Sequence, residues 1–174
     1  EFRQGIESGA IVQSTSDSVV RPATSGDLET LGRLGTLLIE AHHQFDPQRF
    51  FAAAADTPRA YADFLGGQLA RRDALILVIE KSARVLGYAY AGIEGTDYMA
   101  LRGPAGVLYD LVVDPHCRGE GLGSTLLTAI LGALYARGAP RIVLFAAERN
   151  RAAQRLFARN GFRPTMTEMT REKD

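Results

Sequence analysis

Residues 110–123, DLVVDPHCRGEGLG, set an apolar run, a proline, an arginine and three glycines directly before a helical pattern, GSTLLTAILGALYARG. A strand that passes through a glycine-rich turn into a helix leaves main-chain N–H groups unpaired at the helix mouth. The positive end of the helix dipole lies there too, so the place suits a phosphate. Gly119, Gly121 and Gly123 let the backbone adopt positive φ and come close to a ligand. Arg118 can add a charge-assisted contact. The same glycines would also serve a tight turn and helix start with no ligand at all. Two familiar nucleotide loops do not fit. A dinucleotide loop begun at Gly119 would need a glycine where Ser124 stands, and a P-loop needs a lysine where none occurs between positions 82 and 172. His42, His43 and Asp46 raise the thought of a metal. Adjacent helical histidines diverge by about 100° and no fourth ligand is evident, so the reading is an acceptor-pocket wall or polar helix end with no metal.

The elements that would position these groups follow from periodicity. Residues 1–17 are rich in Ser, Gly and Gln without a sustained period and read as a flexible N-terminal leader or cloning remnant, ahead of a single domain over 18–174. VVRPA reads as a strand. Leu28, Leu31, Leu34 and Leu38 recur at helical spacing after a capping candidate, Ser25. A second helix starts near Thr57 and Pro58. ALILVIEK and VLGYAYAGIE, joined by a short turn from Lys81 to Arg84, form a hairpin. VLYDLVV is a strand before the glycine loop, RIVLFAA a strand after its helix, NRAAQRLFARNG a helix and FRPTMTEMT a closing strand.

Totals narrow the class. With 174 residues there is room for one domain and a substantial core. Twenty basic residues balance twenty acidic ones, so a nucleic acid is not the expected partner. The single cysteine, Cys117, excludes an internal disulfide and a cysteine zinc cluster, in keeping with a reducing, cytoplasmic location. No apolar run reaches the ~18 residues of a membrane span.

LVVDPHCRGEGLG resembles the acetyl-coenzyme A signature of the Gcn5-related N-acetyltransferase (GNAT) superfamily through Leu111, Val113, Pro115, Arg118, Gly121 and Gly123. NRAAQRLFARNGF is similar to the family's later motif through Asn150, Ala153, Leu156, Phe157, Gly161 and Phe162. The opening VRPATSGDLETL and the strand VLGYAYA also resemble the family, so the likeness runs from about Val19 to the C-terminus. It implies an α/β fold: a mixed, mostly antiparallel sheet of about six to seven strands, helices on both faces, splayed between the fourth and fifth strands. It implies that acetyl-CoA is the co-substrate. The main-chain N–H groups of Arg118, Gly119, Glu120, Gly121, Leu122 and Gly123, with Ser124 beside them, would cradle the pyrophosphate. The pantetheine arm would lie along Leu111, Val112 and Val113, near Asn150, Ala153 and Phe157.

The implied reaction is direct acetyl transfer to the primary amine of a small molecule. The alternatives are a protein N-terminal or lysine acetyltransferase and a non-catalytic acetyl-CoA sensor, and a homodimer is left open. An amine of pKa ~10.4 must lose a proton before attack, so a base is needed. Strict alternation puts Val107, Tyr109 and Leu111 on one face of the strand and Leu108, Asp110 and Val112 on the other. Val107 cannot serve. Tyr109, with a phenol of pKa ~10, could relay or orient. Asp110 is the stronger base but faces the wrong way unless the strand bulges. Its other reading is a polar partner beneath the sheet. Glu148 would lie near the acceptor amine, or simply be solvated. Relatives often carry a tyrosine where this chain has Phe157, and a phenyl ring cannot protonate a leaving thiolate. Asn150 is also a natural helix N-cap.

Overall fold

The computed structural model describes residues 12–13 and 18–173. The chain runs β1 (Val12–Gln13), β2 (Ser18–Pro22), α1 (Leu28–Phe45), α2 (Thr57–Leu69), β3 (Ala74–Lys81), β4 (Arg84–Glu94), β5 (Ala105–Val113), α3 (Leu122–Ala136), β6 (Ile142–Leu144) and α4 (Arg151–Arg159). The strands form one sheet in sequence order, antiparallel throughout except for the parallel β5–β6 pair. The expected mixed, mostly antiparallel sheet is therefore present. Val12–Gln13 pairs with β2; the rest of the expected leader lies outside the described residues.

Each face of the sheet carries its own core. On one side Leu31 and Leu34 of α1 and Leu65 of α2 pack on Ile76, Val78, Tyr88, Tyr90 and Val112. On the other, Leu126, Leu127 and Ile130 of α3 and Phe157 of α4 cover Leu77, Ile79, Ala89, Ala91 and Leu108. Burial of apolar side chains on both faces explains why β3 and β4 read as nearly continuous hydrophobic runs rather than as clean alternations. The two helices of the first layer sit unusually close. A Cβ on Gly32 would come within 2.1 Å of the Pro58 carbonyl oxygen, and one on Gly35 within 2.2 Å of the Tyr61 ring. Only glycine fits at either place.

The start of α1 is organised by Asp27 rather than by Ser25. Asp27 Oδ2 accepts from the main-chain N–H of Thr24 at 2.7 Å and from its hydroxyl at 2.9 Å, and Arg21 donates to both carboxylate oxygens at 2.8 and 2.9 Å. The Arg21 guanidinium is the main reason the Asp27 carboxyl is held down to about 2, against the burial that opposes it.

The expected strand FRPTMTEMT does not form: residues 162–173 have no regular structure. The expected strand RIVLFAA shrinks to Ile142–Leu144. A three-residue edge offers few ladder positions, and Pro164 can donate to none. The tail is instead tied to the segment after α1 by Arg49, whose Nη2 donates to Glu168 at 3.0 Å.

Candidate active site

β5 contains an extra residue. Its pairing with β4 runs Val112 to Tyr88, Leu111 to Ala89 and Asp110 to Tyr90, then skips Tyr109 and resumes at Leu108 opposite Ala91. Two residues thus stand where regular pairing would allow one, which defines a β-bulge. Strict alternation fails here. Leu108 and Leu111 both enter the α3 core, whereas Tyr109 and Asp110 both turn to the α1–α2 face. Asp110 is the more consequential of the two, since it brings a carboxylate to the same face as Val107 despite the odd spacing between them.

Past Leu108 the sheet opens. β5 and β6 pair only through Gly106–Ile142, Val107–Val143 and Leu108–Leu144, so from Tyr109 to Val113 that edge of β5 has no neighbouring strand among the described residues. Such an edge presents main-chain donors and acceptors to whatever extended group lies beside it. This is the expected splay between the two strands.

At the far end of β5 the chain makes a 3₁₀ turn at Pro115–Cys117, held by Asp114, whose side chain accepts from His116 N–H at 3.1 Å. Gly119 and Gly121 then adopt φ of +87° and +82°, conformations costly for side-chain-bearing residues. Gly121 is the N-cap of α3, and no side chain caps the helix. The first-turn amides of Leu122, Gly123 and Ser124 open onto this mouth, and Arg118 and Ser124 are exposed beside it. Arg118 makes no ion pair among the described residues, while Glu120 is engaged by Lys81 at 3.3 Å. A Cβ at Gly119 or Gly121 would meet nothing within 4 Å, so their lack of a side chain leaves open space at the mouth. The residues fit a diphosphate.

α4 contributes less directly. Asn150 caps it by accepting from Ala153 N–H at 3.1 Å, its structural role. Phe157 is buried in the α3 core with its ring 5.8 Å from Phe162 in edge contact, and Ala153 packs against the same cluster. Glu148 is 83% exposed and pairs with Arg151 at 3.1 Å, its ion pair among the described residues. His42 and His43 direct their Nδ1 atoms to the carbonyls of Leu38 and Phe50 at 2.8 and 2.7 Å, as polar groups of a helix end.

On the α1–α2 face, next to the bulge, lies an open cleft of ≈ 460 Å³ with Asp110 in its lining. Asp110 is buried, and its Oδ2 accepts from Tyr61 Oη at 2.6 Å and Tyr88 Oη at 2.9 Å. Burial pushes the carboxyl above its ordinary range, and the two phenol donors pull against that rise. The result is a carboxylate of increased basicity, fixed in place. Tyr109 differs. Its hydroxyl crosses the side-chain-free face of Gly92 and donates to Glu94 Oε1 at 2.5 Å. Desolvation, then this bond, raise its pKa, so it stays a phenol and can orient but not abstract. Arg102 holds the other oxygen of Glu94. Tyr61, Tyr88 and Glu94 were not legible as site residues. The one available hint was the Tyr88–Tyr90 pair in VLGYAYA, two residues apart on one face of an apolar strand, whose hydroxyls require buried acceptors.

A family model described as the acetyltransferase (GNAT) family matches residues 37–162. A mycothiol acetyltransferase from Nocardioides sp. is 31% identical over 147 residues, which cover 80% of this chain and 47% of that protein. The chain spans about half or less of the length of this relative and of the mycothiol acetyltransferase of Thermobispora bispora. Among solved structures, a point mutant of a Bacillus halodurans protein superposes with a TM-score of 0.77 at 23% identity, covering 88% of this chain and 98% of that one. A GCN5-related N-acetyltransferase from Ralstonia eutropha gives a TM-score of 0.67 at 26% identity, with 90% and 98% covered.

Proposed function

The chain belongs to the GNAT family of acetyltransferases, and from that footing we propose that it transfers the acetyl group of acetyl-CoA directly to the primary amine of a small molecule. The observation that carries this reading is the bulge, which turns Asp110 into the cleft at the point where β5 loses its neighbour. The uncapped mouth of α3, with Arg118 and the amides of residues 118–124, would hold the pyrophosphate. The bare edge from Tyr109 to Val113 would take the pantetheine arm through main-chain hydrogen bonds, as an added strand does.

The acceptor amine enters from the cleft. Asp110 removes its proton, directly or through one water, and the lone pair attacks the thioester carbonyl. An N–C bond forms, the C–S bond breaks, and the thiolate leaves. A main-chain N–H group on the unpaired β5 edge would bond the oxyanion that forms between these events. A carboxylate whose pKa is raised toward the working pH is a better base than an ordinary one, and the two tyrosines keep it aimed. No acid stands ready at Phe157. A thiol of pKa ~8.5 leaves as its anion near neutrality without one, and solvent completes the proton balance.

A carboxylate at Asp110 on the cleft face supports transfer chemistry over a sensor that binds acetyl-CoA without turnover. The test is a calorimetric titration with acetyl-CoA followed by thiol release across a panel of small amines. Binding with amine-dependent thiol release is expected. Binding with no release from any amine would refute the enzymatic reading.

A further inference from the structure

The acceptor cleft has a chemistry of its own. Four aromatic rings line it in an unbroken series: Tyr61 and Phe64 at 5.9 Å between centroids, Phe64 and Tyr90 at 6.0 Å, and Tyr90 and Tyr109 at 4.7 Å. Tyr90 is buried, while its outer neighbours Phe64 and Tyr109 remain 47% and 41% exposed. Two part-exposed aromatic side chains thus flank a buried third, in a cleft rather than scattered over the surface. Exposed apolar area concentrated in a concavity marks a ligand surface.

Several polar groups of the cleft already hold one another. Gln68 Oε1 accepts from Tyr90 Oη at 3.0 Å. Arg71 donates to both oxygens of Asp73 at 3.0 and 2.6 Å, and Glu94 is held between Arg102 and Tyr109. A polyhydroxylated acceptor would find few partners for its hydroxyls and would lose its water on entry. The lining holds one cation, Arg71, against three carboxylates, Asp73, Glu94 and Asp110, so an acceptor with a carboxylate would enter a cleft of net negative charge. A cationic amine is matched in two ways, by the π faces and by the carboxylate of Asp110.

Building on the acetyl-transfer reading, we propose that the acceptor is an arylalkylamine without a carboxylate, its ring seated against Phe64, Tyr90 and Tyr109 and its short alkyl arm carrying the amine to Asp110. The ring supplies affinity through apolar burial and aromatic contact, and the carboxylate receives the proton that the amine gives up as the new amide bond forms.

The probes are 2-phenylethylamine, its saturated counterpart 2-cyclohexylethylamine, phenylalanine and an aminoglycoside, each assayed by thiol release from acetyl-CoA. Phenylethylamine is expected to exceed phenylalanine and the aminoglycoside by at least about tenfold in kcat/KM, and the cyclohexyl compound by a few-fold, given what a ring contact adds beyond area. Phe64→Ala should raise KM for phenylethylamine about tenfold with kcat within a factor of two. The affinity for acetyl-CoA should not change, and Phe64→Tyr should restore KM. Three results would each overturn the proposal: turnover of phenylalanine or the aminoglycoside that equals or exceeds that of phenylethylamine, a KM indifferent to Phe64→Ala, or a protein that binds acetyl-CoA yet leaves phenylethylamine untouched. Failure to bind acetyl-CoA would instead remove the transfer reading on which this one rests.

Discussion

Replacing Asp110 by Asn isolates the carboxylate's chemistry from its architecture. The two side chains have the same shape, and the amide oxygen can still accept from Tyr61 and Tyr88 while its nitrogen turns to the cleft that the residue lines. The ability to take a proton is lost. General-base catalysis contributes about 10²–10⁴ in rate, so kcat should fall by that factor, about 2.7–5.4 kcal/mol of barrier at 1.36 kcal/mol per decade. Stability should move the other way or hardly at all. Burial raises the carboxyl's folded-state pKa, so the folded protein binds this proton more tightly than the unfolded chain. Its contribution to stability is then greatest below ~3.9, the unfolded carboxyl value, and is lost as pH rises through the folded-state value. At neutral pH the variant sheds that penalty. Thiol release measured from pH 5 to 9, together with thermal melts, would check both halves. In the wild type kcat/KM should rise with pH as Asp110 ionises, and the variant should lack this limb. A variant within threefold of wild-type kcat that keeps the acid limb would refute Asp110 as the base.

Three further outcomes follow from the geometry. Tyr61→Phe removes a donor that lowers the Asp110 pKa, so the acid limb should shift to higher pH in the rate profile, and melts should show a loss of about 1.5–3 kcal/mol, as for a hydrogen bond to a charged group. Gly121→Val and Gly138→Val impose side chains on similar positive φ at opposite ends of α3. Both should lose about 1–2 kcal/mol of stability, yet only the first should weaken acetyl-CoA binding in calorimetry, because only it crowds the helix mouth. Asp27, held to about 2 chiefly by Arg21, contributes stability that is present above ~3.9 and lost as pH falls through about 2. Acid denaturation of Asp27→Asn should therefore be flatter over that window, with about 2 kcal/mol less stability at pH 7.

The glycine loop was legible because its signal is local: strand, turn and helix mouth are contiguous, and each glycine declares a backbone need. The β3–β4 hairpin and the Asn150 cap were legible for the same reason. The bulge was not. Nothing in VLYDLVV marks which residue is surplus, since the register is decided by Ala91 and Tyr90 on the neighbouring strand. The Tyr61–Asp110 bond was hidden further, as it needs α2 to lie against α1 at the side-chain-free face of Gly35. Phe162 and the threonines of FRPTMTEMT favour extended structure locally, but β6 leaves almost no edge for a closing strand to join.

The surplus residue in β5 also restricts how this segment can change over evolutionary time. Leu111 and Val113 keep phase with the interior under α3 only because Tyr109 absorbs one step. Deleting Tyr109 itself would leave Leu108, Asp110 and Leu111 in regular alternation, whereas losing Asp110 or Leu111 would put an inward-facing position out of phase or remove the aspartate from the cleft. Position 109 is therefore the place in the segment where a residue can be lost without turning either face, and other length variation among functional descendants should fall in the 95–104 loop before it.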